Sequence, residues 1–246
     1  MPRVKIYTIC ELIGGMVVRL VIRDLKKIVE QIAVLDEASY SFAHGKVYGL
    51  IGRRDEGKEA FINAISSEDV YDSGSIKIEA DWKEHRIRYS DVGVVSEKPV
   101  LPEYMTGMEF IVSFVGVHKL VIEEQESYDK LFDMFKITDK VRNSLIKNYT
   151  VSDRIKLQLL SIKLLKPSVI IFDDVLKADS KVKLQLVKDI INELRKDRII
   201  IFSTEHMTLA SDLCDEFLII DKGVIKSMDA DKMVEFLETK EEDNNA

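Results

Sequence analysis

The sequence predicts an α/β fold, built on a parallel β-sheet with helices on its faces. Two observations lead to this prediction. Short apolar segments alternate along the chain with longer segments in which apolar residues recur at the helical period. In addition, the segment GRRDEGKEA at 52–60 places two glycines and a lysine between a predicted strand and a predicted helix. Parallel strands are buried on both faces, which explains why several of the predicted strands are continuously apolar.

Two patterns identify the predicted strands. Residues 17–25 alternate apolar and polar side chains, the pattern of a half-buried strand, whereas residues 46–52 form a short apolar run that ends at a glycine. The segments predicted to contain strands are 17–25, 33–45, 46–52, 71–80, 87–99, 167–174, 198–206 and 217–225.

The predicted helices have one apolar face. Residues 58–66 and 181–194 show this pattern clearly, and residues 101–165 are mostly helical with faces rich in Glu and Lys. The predicted domains are an N-terminal extension at 1–15, a folded domain at 16–239 with an inserted helical lobe at about 98–165, and a polar tail at 240–246.

Composition and charge limit the classes of function. The chain has 246 residues with 46% hydrophobic side chains, enough for a sizeable core. Its net charge of −7 argues against nucleic acid as a partner, because an acidic surface repels the phosphate backbone. No apolar run approaches the roughly 18 residues of a membrane span, and Cys10 and Cys214 have no metal-binding spacing.

The glycine segment has the spacing of a phosphate-binding loop, G-x-x-x-x-G-K-[S/T]. In such a loop the backbone N–H groups and the following helix N-terminus bind phosphates, and the lysine neutralises the outer ones. The strand at 167–174 ends in Asp173, the expected partner of a magnesium ion, and Glu59 stands where the metal-binding hydroxyl is expected. The residues of the predicted phosphate site are Gly52, Arg53, Arg54, Asp55, Glu56, Gly57, Lys58, Glu59 and Ala60.

From about residue 17 to 235 the sequence resembles the ATP-binding subunit of ABC transporters. YDSGSIKI resembles that family's strand after the first helix, VGVVSEKPVLPEYMTGMEF its Q-loop region, KPSVIIFDD its Walker B strand, and FSTEHMTLASDLCDEFLIIDKGVI its switch segment and final strands. The resemblance implies a P-loop NTPase (RecA-like) parallel-sheet core with an antiparallel β subdomain and an inserted helical lobe.

The resemblance also implies ligands and partners. ATP and Mg²⁺ would bind at the phosphate loop, and a second ABC subunit, identical or different, would complete the site. A separate transmembrane permease subunit would hold the protein at the inner face of the cell membrane, on the cytoplasmic side. Nucleic acid is not expected as a partner.

Two positions that the resemblance assigns to catalysis differ from the family. Asp174 replaces the catalytic glutamate and is one methylene shorter, and a misplacement of ~1 Å can lower a rate about 10²-fold. Glu205 replaces the switch histidine. His206 follows it, but neighbouring side chains on a strand point to opposite faces, so we do not expect His206 to substitute.

Positions that contact the nucleotide in the family differ as well. Glu97 stands at the Q-loop glutamine, and Val29 falls where an aromatic residue stacks on adenine. The signature motif appears as YTVSD at 149–153, in which Thr150 keeps a hydroxyl and Ser152 replaces a glycine. Together these differences predict weak or absent hydrolysis.

The sequence leaves the role of Glu59 open, and with it the function. Its carboxylate favours the first turn of a helix by about 0.3–1 kcal/mol, but it could also occupy the phosphate site beside Lys58, or ligate magnesium. The chain is predicted to be the ATP-binding subunit of a transporter. The alternatives are a pseudo-ATPase that acts as a scaffold or regulator, and an ABC protein that acts on another assembly.

Overall fold

The computed structural model describes residues 18–52, 57–66, 71–80, 83–96, 98–119, 122, 127–175 and 181–235. These residues form two compact units, one made of residues 95–167 and the other of the described residues before and after that stretch. The predicted extension at 1–15 and tail at 240–246 lie outside the described residues, and the domain boundaries stay predictions. Among the described helices, none is both long and apolar enough to cross a lipid bilayer.

The strands are β1 (Val18–Val29), β2 (Ile32–Ala43), β3 (Val47–Ile51), β4 (Ser73–Ala80), β5 (Lys83–Arg86), β6 (Val92–Ser96), β7 (Val169–Asp173), β8 (Ile199–Thr204), β9 (Glu216–Asp221) and β10 (Val224–Met228). The helices are α1 (Lys58–Ser66), α2 (Gly107–Val117), α3 (Tyr128–Met134), α4 (Asp139–Arg142), α5 (Val151–Leu165), α6 (Lys181–Leu194) and α7 (Met207–Ser211). Short 3₁₀ turns occur at Tyr89–Asp91 and Ile146–Asn148.

One sheet is antiparallel and has the strand order β2-β1-β4-β5. A two-residue turn at Glu30 and Gln31 joins β1 to β2, and its φ values of 48° and 69° are those of a tight hairpin turn. The predicted strand at 17–25 ends too early, because irregular pairing after Ile22 interrupts the alternation of apolar side chains. The short polar strand β5 was not predicted, since its sequence KEHR has no apolar side chain.

The second sheet has six strands in the order β10-β9-β3-β8-β7-β6. Strand β8 runs parallel to β3 and to β7, and β3 runs parallel to β9, which confirms the predicted parallel core. Every residue of β3 and of β8 is buried. The apolar side chains of these strands therefore form the core. Because β3, β7 and β8 are parallel, their carboxyl ends lie at the same edge of the sheet.

Two predicted strands are corrected by the structure. The segment 217–225, predicted as one strand, is the hairpin β9–β10, which turns at Lys222 and Gly223 with φ values of 50° and 82°. A Cβ atom at Gly223 would lie 2.7 Å from the Asp36 backbone nitrogen, so glycine is required there. The strand predicted at 198–206 ends at Thr204.

In the unit of residues 95–167, the two longest helices, α2 and α5, have side-chain caps at their N-termini. Helix α2 begins with a capping box: the Thr106 hydroxyl accepts the Glu109 N–H at 3.2 Å, and the Glu109 carboxylate accepts the Thr106 N–H at 2.8 Å. Helix α5 ends at Lys166, which has a left-handed conformation with φ 51°. The largely helical content predicted for 101–165 is confirmed for the described residues of that segment.

Candidate functional site

The predicted phosphate loop connects the end of β3 to the start of α1. Gly52 has φ 139°, and its N–H donates to the Thr204 carbonyl at the end of β8. Gly57 has φ 91°, and a Cβ atom there would lie 2.4 Å from the Val34 carbonyl oxygen, so only glycine fits. The Gly57 carbonyl accepts the Phe61 N–H and thereby starts the helix. Four residues predicted for this loop lie outside the described residues: Arg53, Arg54, Asp55 and Glu56.

Lys58 is the first residue of α1 and is almost completely buried, with 2% of its surface exposed. Its ammonium nitrogen lies 3.4 Å from Asp174 Oδ1. A buried ammonium group is costly unless an anion compensates it, so this contact stabilises the buried position of Lys58. The structure thus brings together the predicted phosphate-binding lysine and a predicted catalytic residue.

A pocket of about 70 Å³ lies beside the start of α1. It is lined by Lys58, Glu59, Ile62, Asn63 and Asp173. The Glu59 side chain is exposed in the first turn of the helix, and Ala60 is half-buried. Among the described residues, Lys58 pairs with Asp174 and not with Glu59, its neighbour in the chain.

Asp173 and Asp174 are positioned by the neighbouring strand β8. Asp173 lies opposite Ser203 in the parallel register, and the Ser203 hydroxyl donates to Asp173 Oδ1 at 3.0 Å. The Ser203 carbonyl accepts the Asp174 N–H at 3.1 Å. Asp174 itself has φ 47°, a conformation that Asp adopts more readily than most residues.

Ser203 was missed by sequence reasoning. Its segment, FSTEH, was predicted as a strand, and a hydroxyl near a strand end was a weak signal. The register that places it opposite Asp173 depends on residues 30 positions apart, which no local pattern reveals.

The switch position follows β8. Because the strand ends at Thr204, Glu205 and His206 lie outside it, and the alternation of strand side chains does not apply to them. Glu205 is exposed, and His206 is the residue before α7, where its N–H donates to the Thr204 hydroxyl at 3.1 Å. Strands β7 and β8 are parallel neighbours. Asp174 follows β7 and Glu205 follows β8, so both residues lie at the carboxyl ends of these strands.

In the unit of residues 95–167, Thr150 caps helix α5. Its hydroxyl accepts the Asp153 N–H at 3.1 Å and donates to the Asp153 carboxylate at 2.7 Å. Ser152 is half-buried in the first turn of this helix, and Val151 is exposed. Glu97 lies outside the described residues.

A family model described as ABC transporter matches residues 35–177, more than half of the chain. The chain belongs to the ABC transporter family. Two relatives from Bacillus subtilis (strain 168) are described as uncharacterized ABC transporter ATP-binding proteins. YdbJ is 27% identical over 210 residues, which are 84% of this chain and 67% of YdbJ. YhcH is 23% identical over 207 residues, which are 81% of this chain and 67% of YhcH.

The fold of this ABC protein matches a solved structure described as the ATP binding subunit of an ABC transporter. The TM-score is 0.72, with 21% identity, and the match covers 85% of this chain and 90% of the solved one. At that identity the likeness concerns the fold, and it confirms the predicted P-loop NTPase architecture. The chain therefore combines membership of the ABC transporter family with the P-loop NTPase fold.

The site residues fit part of a magnesium site. Glu59 and Asp173 line one pocket, and carboxylate oxygens are ligands that Mg²⁺ prefers. Within the described ranges, no group of three or more His, Cys, Asp or Glu side chains could hold a metal ion. Mg²⁺ prefers six oxygen ligands and usually keeps several waters, so phosphates and water would have to supply the remainder.

Proposed function

We propose that this ABC domain binds ATP at residues 52–60 as the ATP-binding subunit of a transporter. The observation that carries the proposal is the buried ammonium group of Lys58 at the first residue of α1, directly after the Gly57 turn. Backbone N–H groups at a helix N-terminus and a lysine at this position suit the phosphates of a nucleotide.

Mg²⁺ would be held by Asp173 and by the nucleotide's phosphates, with Glu59 as a further oxygen ligand. The ion supplies charge neutralisation at the phosphates when it is bound. Asp173 is held for this role by the hydrogen bond from Ser203. The exposed carboxylate of Glu59 lines the same pocket, and a carboxylate can replace the hydroxyl that most phosphate loops provide.

We expect ATP hydrolysis to be slow or absent. A general base must lie within hydrogen-bond reach of the water that it activates. Asp174 is one methylene shorter than glutamate, and its carboxylate is paired with Lys58. Glu205, which follows β8, places a negative charge at the position where the family has a histidine, and it lies at the same edge of the sheet as Asp174. Both features support slow turnover of any nucleotide that binds.

The proposed partners are a transmembrane permease subunit and a second ABC subunit, identical or different. Family membership and the names of the relatives support both. In this arrangement the protein would lie on the cytoplasmic side, at the inner face of the cell membrane. Thr150 and Ser152, at the start of α5, would face the nucleotide bound by the second subunit.

The alternative is a pseudo-ATPase that serves as a scaffold or regulator. The contact between Lys58 and Asp174 favours it, because an internal carboxylate already satisfies the ammonium group that a phosphate would use. Glu59 in the adjoining pocket adds further negative charge.

ATP binding by the purified chain, with and without Mg²⁺, tests the proposal. We expect Mg²⁺-dependent binding by the wild type and a loss of at least about tenfold in Lys58→Met, which keeps the apolar stem but removes the charge. Glu59→Ser restores the usual hydroxyl. If only Glu59→Ser binds ATP, the glutamate blocks the site and the scaffold alternative is supported. If neither protein binds ATP, the proposed function is wrong.

A further inference from the structure

The ammonium group of Lys58 contacts a carboxylate of its own chain. Its side chain is 3% exposed, that of Asp174 is 25% exposed, and the two charged atoms are 3.4 Å apart. Burial of an ammonium group is costly unless an anion lies close by. In this structure, Asp174 supplies that anion.

The backbone holds Asp174 in this place. Its φ of 47° turns the chain directly after β7, and its N–H donates to the Ser203 carbonyl of the adjacent strand. Because both ends of the contact start from ordered elements, α1 and the end of β7, the carboxylate is fixed beside the ammonium group. A phosphate that approaches Lys58 therefore meets a negative charge at short range.

We infer that Asp174 is an affinity-determining residue, which competes with the nucleotide's phosphates for Lys58. The inference rests on the proposed phosphate site and extends it, because it gives Asp174 a role in nucleotide binding that is separate from hydrolysis. Binding of a triphosphate replaces one anion beside Lys58 by another, and the lost ion pair lowers the net affinity. Asp174 thereby sets the nucleotide concentration at which the site fills.

Binding of ATP and of inorganic tripolyphosphate to the full chain, measured in EDTA, tests this inference. Tripolyphosphate reports on the phosphate contacts without the base, and EDTA removes any contribution from Mg²⁺. The main variant is Asp174→Asn, since asparagine is nearly isosteric, carries no charge and tolerates a positive φ. Asp174→Gly is a second neutral variant that also accepts φ 47° and serves if Asp174→Asn does not fold.

The matched control is Asp212→Asn, which removes one charge from an aspartate that pairs with Lys188 at 3.1 Å elsewhere on the same unit. We expect Asp174→Asn to bind both ligands roughly tenfold more tightly than the wild type, because the competing carboxylate is gone. A tenfold change in Kd corresponds to a binding free energy of about 1.4 kcal/mol. Asp212→Asn should bind as the wild type does.

The possible outcomes separate the inference from the proposed function. If the wild type binds ATP and the neutral variants bind it equally well or more weakly, the inference is wrong and the proposed function stands. An equal gain in Asp212→Asn also overturns it, because the effect would then come from net charge. If none of these proteins binds either ligand in EDTA and none binds ATP with Mg²⁺, the phosphate site itself is wrong.

Discussion

Ser203 contacts both carboxylate residues at the end of β7: its hydroxyl donates to Asp173, and its carbonyl accepts the Asp174 N–H. One buried serine on β8 thus orients the proposed magnesium ligand and anchors the residue that pairs with Lys58. The arrangement follows from the parallel register of the two strands, and it leads to the first prediction.

Ser203→Ala should weaken Mg²⁺-dependent ATP binding about three- to tenfold, because a hydrogen bond to a charged group is worth roughly 1.5–3 kcal/mol and part of it acts on the metal ligand. ATP binding in EDTA should change less. Ser161→Ala is the matched control, since Ser161 is also buried and donates to a backbone carbonyl in the other unit. Titrations of Mg²⁺ at fixed ATP measure the effect. Equal losses with and without Mg²⁺ would mean that Ser203 only stabilises the fold.

Gly57→Ala should destabilise the fold more than Gly45→Ala. Both glycines have positive φ, 91° and 83°, so both variants bear the cost of about 1–2 kcal/mol for a left-handed alanine. Only at Gly57 would the new Cβ atom meet backbone, 2.4 Å from the Val34 oxygen, whereas nothing lies within 4 Å at Gly45. Urea unfolding measures the difference. Equal destabilisation would show that the loop moves freely away from Val34.

Asp174→Glu combined with Glu205→His should raise ATP turnover by at least about tenfold over the wild type, because it restores a longer carboxylate and a possible proton carrier. Phosphate release in the presence of Mg²⁺ measures the rate. The two single variants are the controls and should each give a smaller gain. A double variant as slow as the wild type would place the main defect elsewhere, for example at Glu59.

Thr150→Ala should destabilise the protein by about 1 kcal/mol, the usual cost of a lost helix N-cap. Thr150→Ser keeps the hydroxyl that bonds to Asp153, and its stability should stay near that of the wild type. Chemical unfolding measures the stability of each variant. ATP binding after the variant is mixed with a second ABC subunit, identical or different, measures its function. If Thr150→Ala were as stable as the wild type, the cap would contribute nothing.

Tyr40→Phe should lower stability at neutral pH. Burial alone would raise the pKa of Glu216, but hydrogen bonds from Tyr40, Ser227 and Lys46 outweigh it, so this pKa is lowered. A carboxyl with a lowered pKa stabilises the fold above its unfolded pKa of about 4.3, and the contribution is lost as pH falls through the folded value. We expect a loss of about 1 kcal/mol at pH 7 that shrinks in acid. The exposed Tyr104, changed to Phe, is the control; a loss independent of pH would contradict this account.

Much of the fold and part of the site could be predicted from local patterns. Helix α1 was placed correctly by its apolar face, and the turn at Gly57 before the helix start at Lys58 by the glycine spacing; their role in phosphate binding stays a prediction. These features depend on neighbours within a few positions, where backbone geometry and side-chain period act directly. The hairpin turn at Lys222 and Gly223 was missed because the residues before it are strongly apolar, so the whole segment 217–225 matched the pattern of a single strand.

By itself, the sequence determined the parallel core, the glycine turn before Lys58 and the carboxylates at the end of β7. Only the tertiary structure decided which anion pairs with Lys58, for which the sequence offered Glu59 and the fold selected Asp174. The physical reason is that such a contact joins elements 116 positions apart along the chain. The register of β7 with β8 and the turn at Asp174 determine this contact, and neither of them produces a periodic pattern in the sequence.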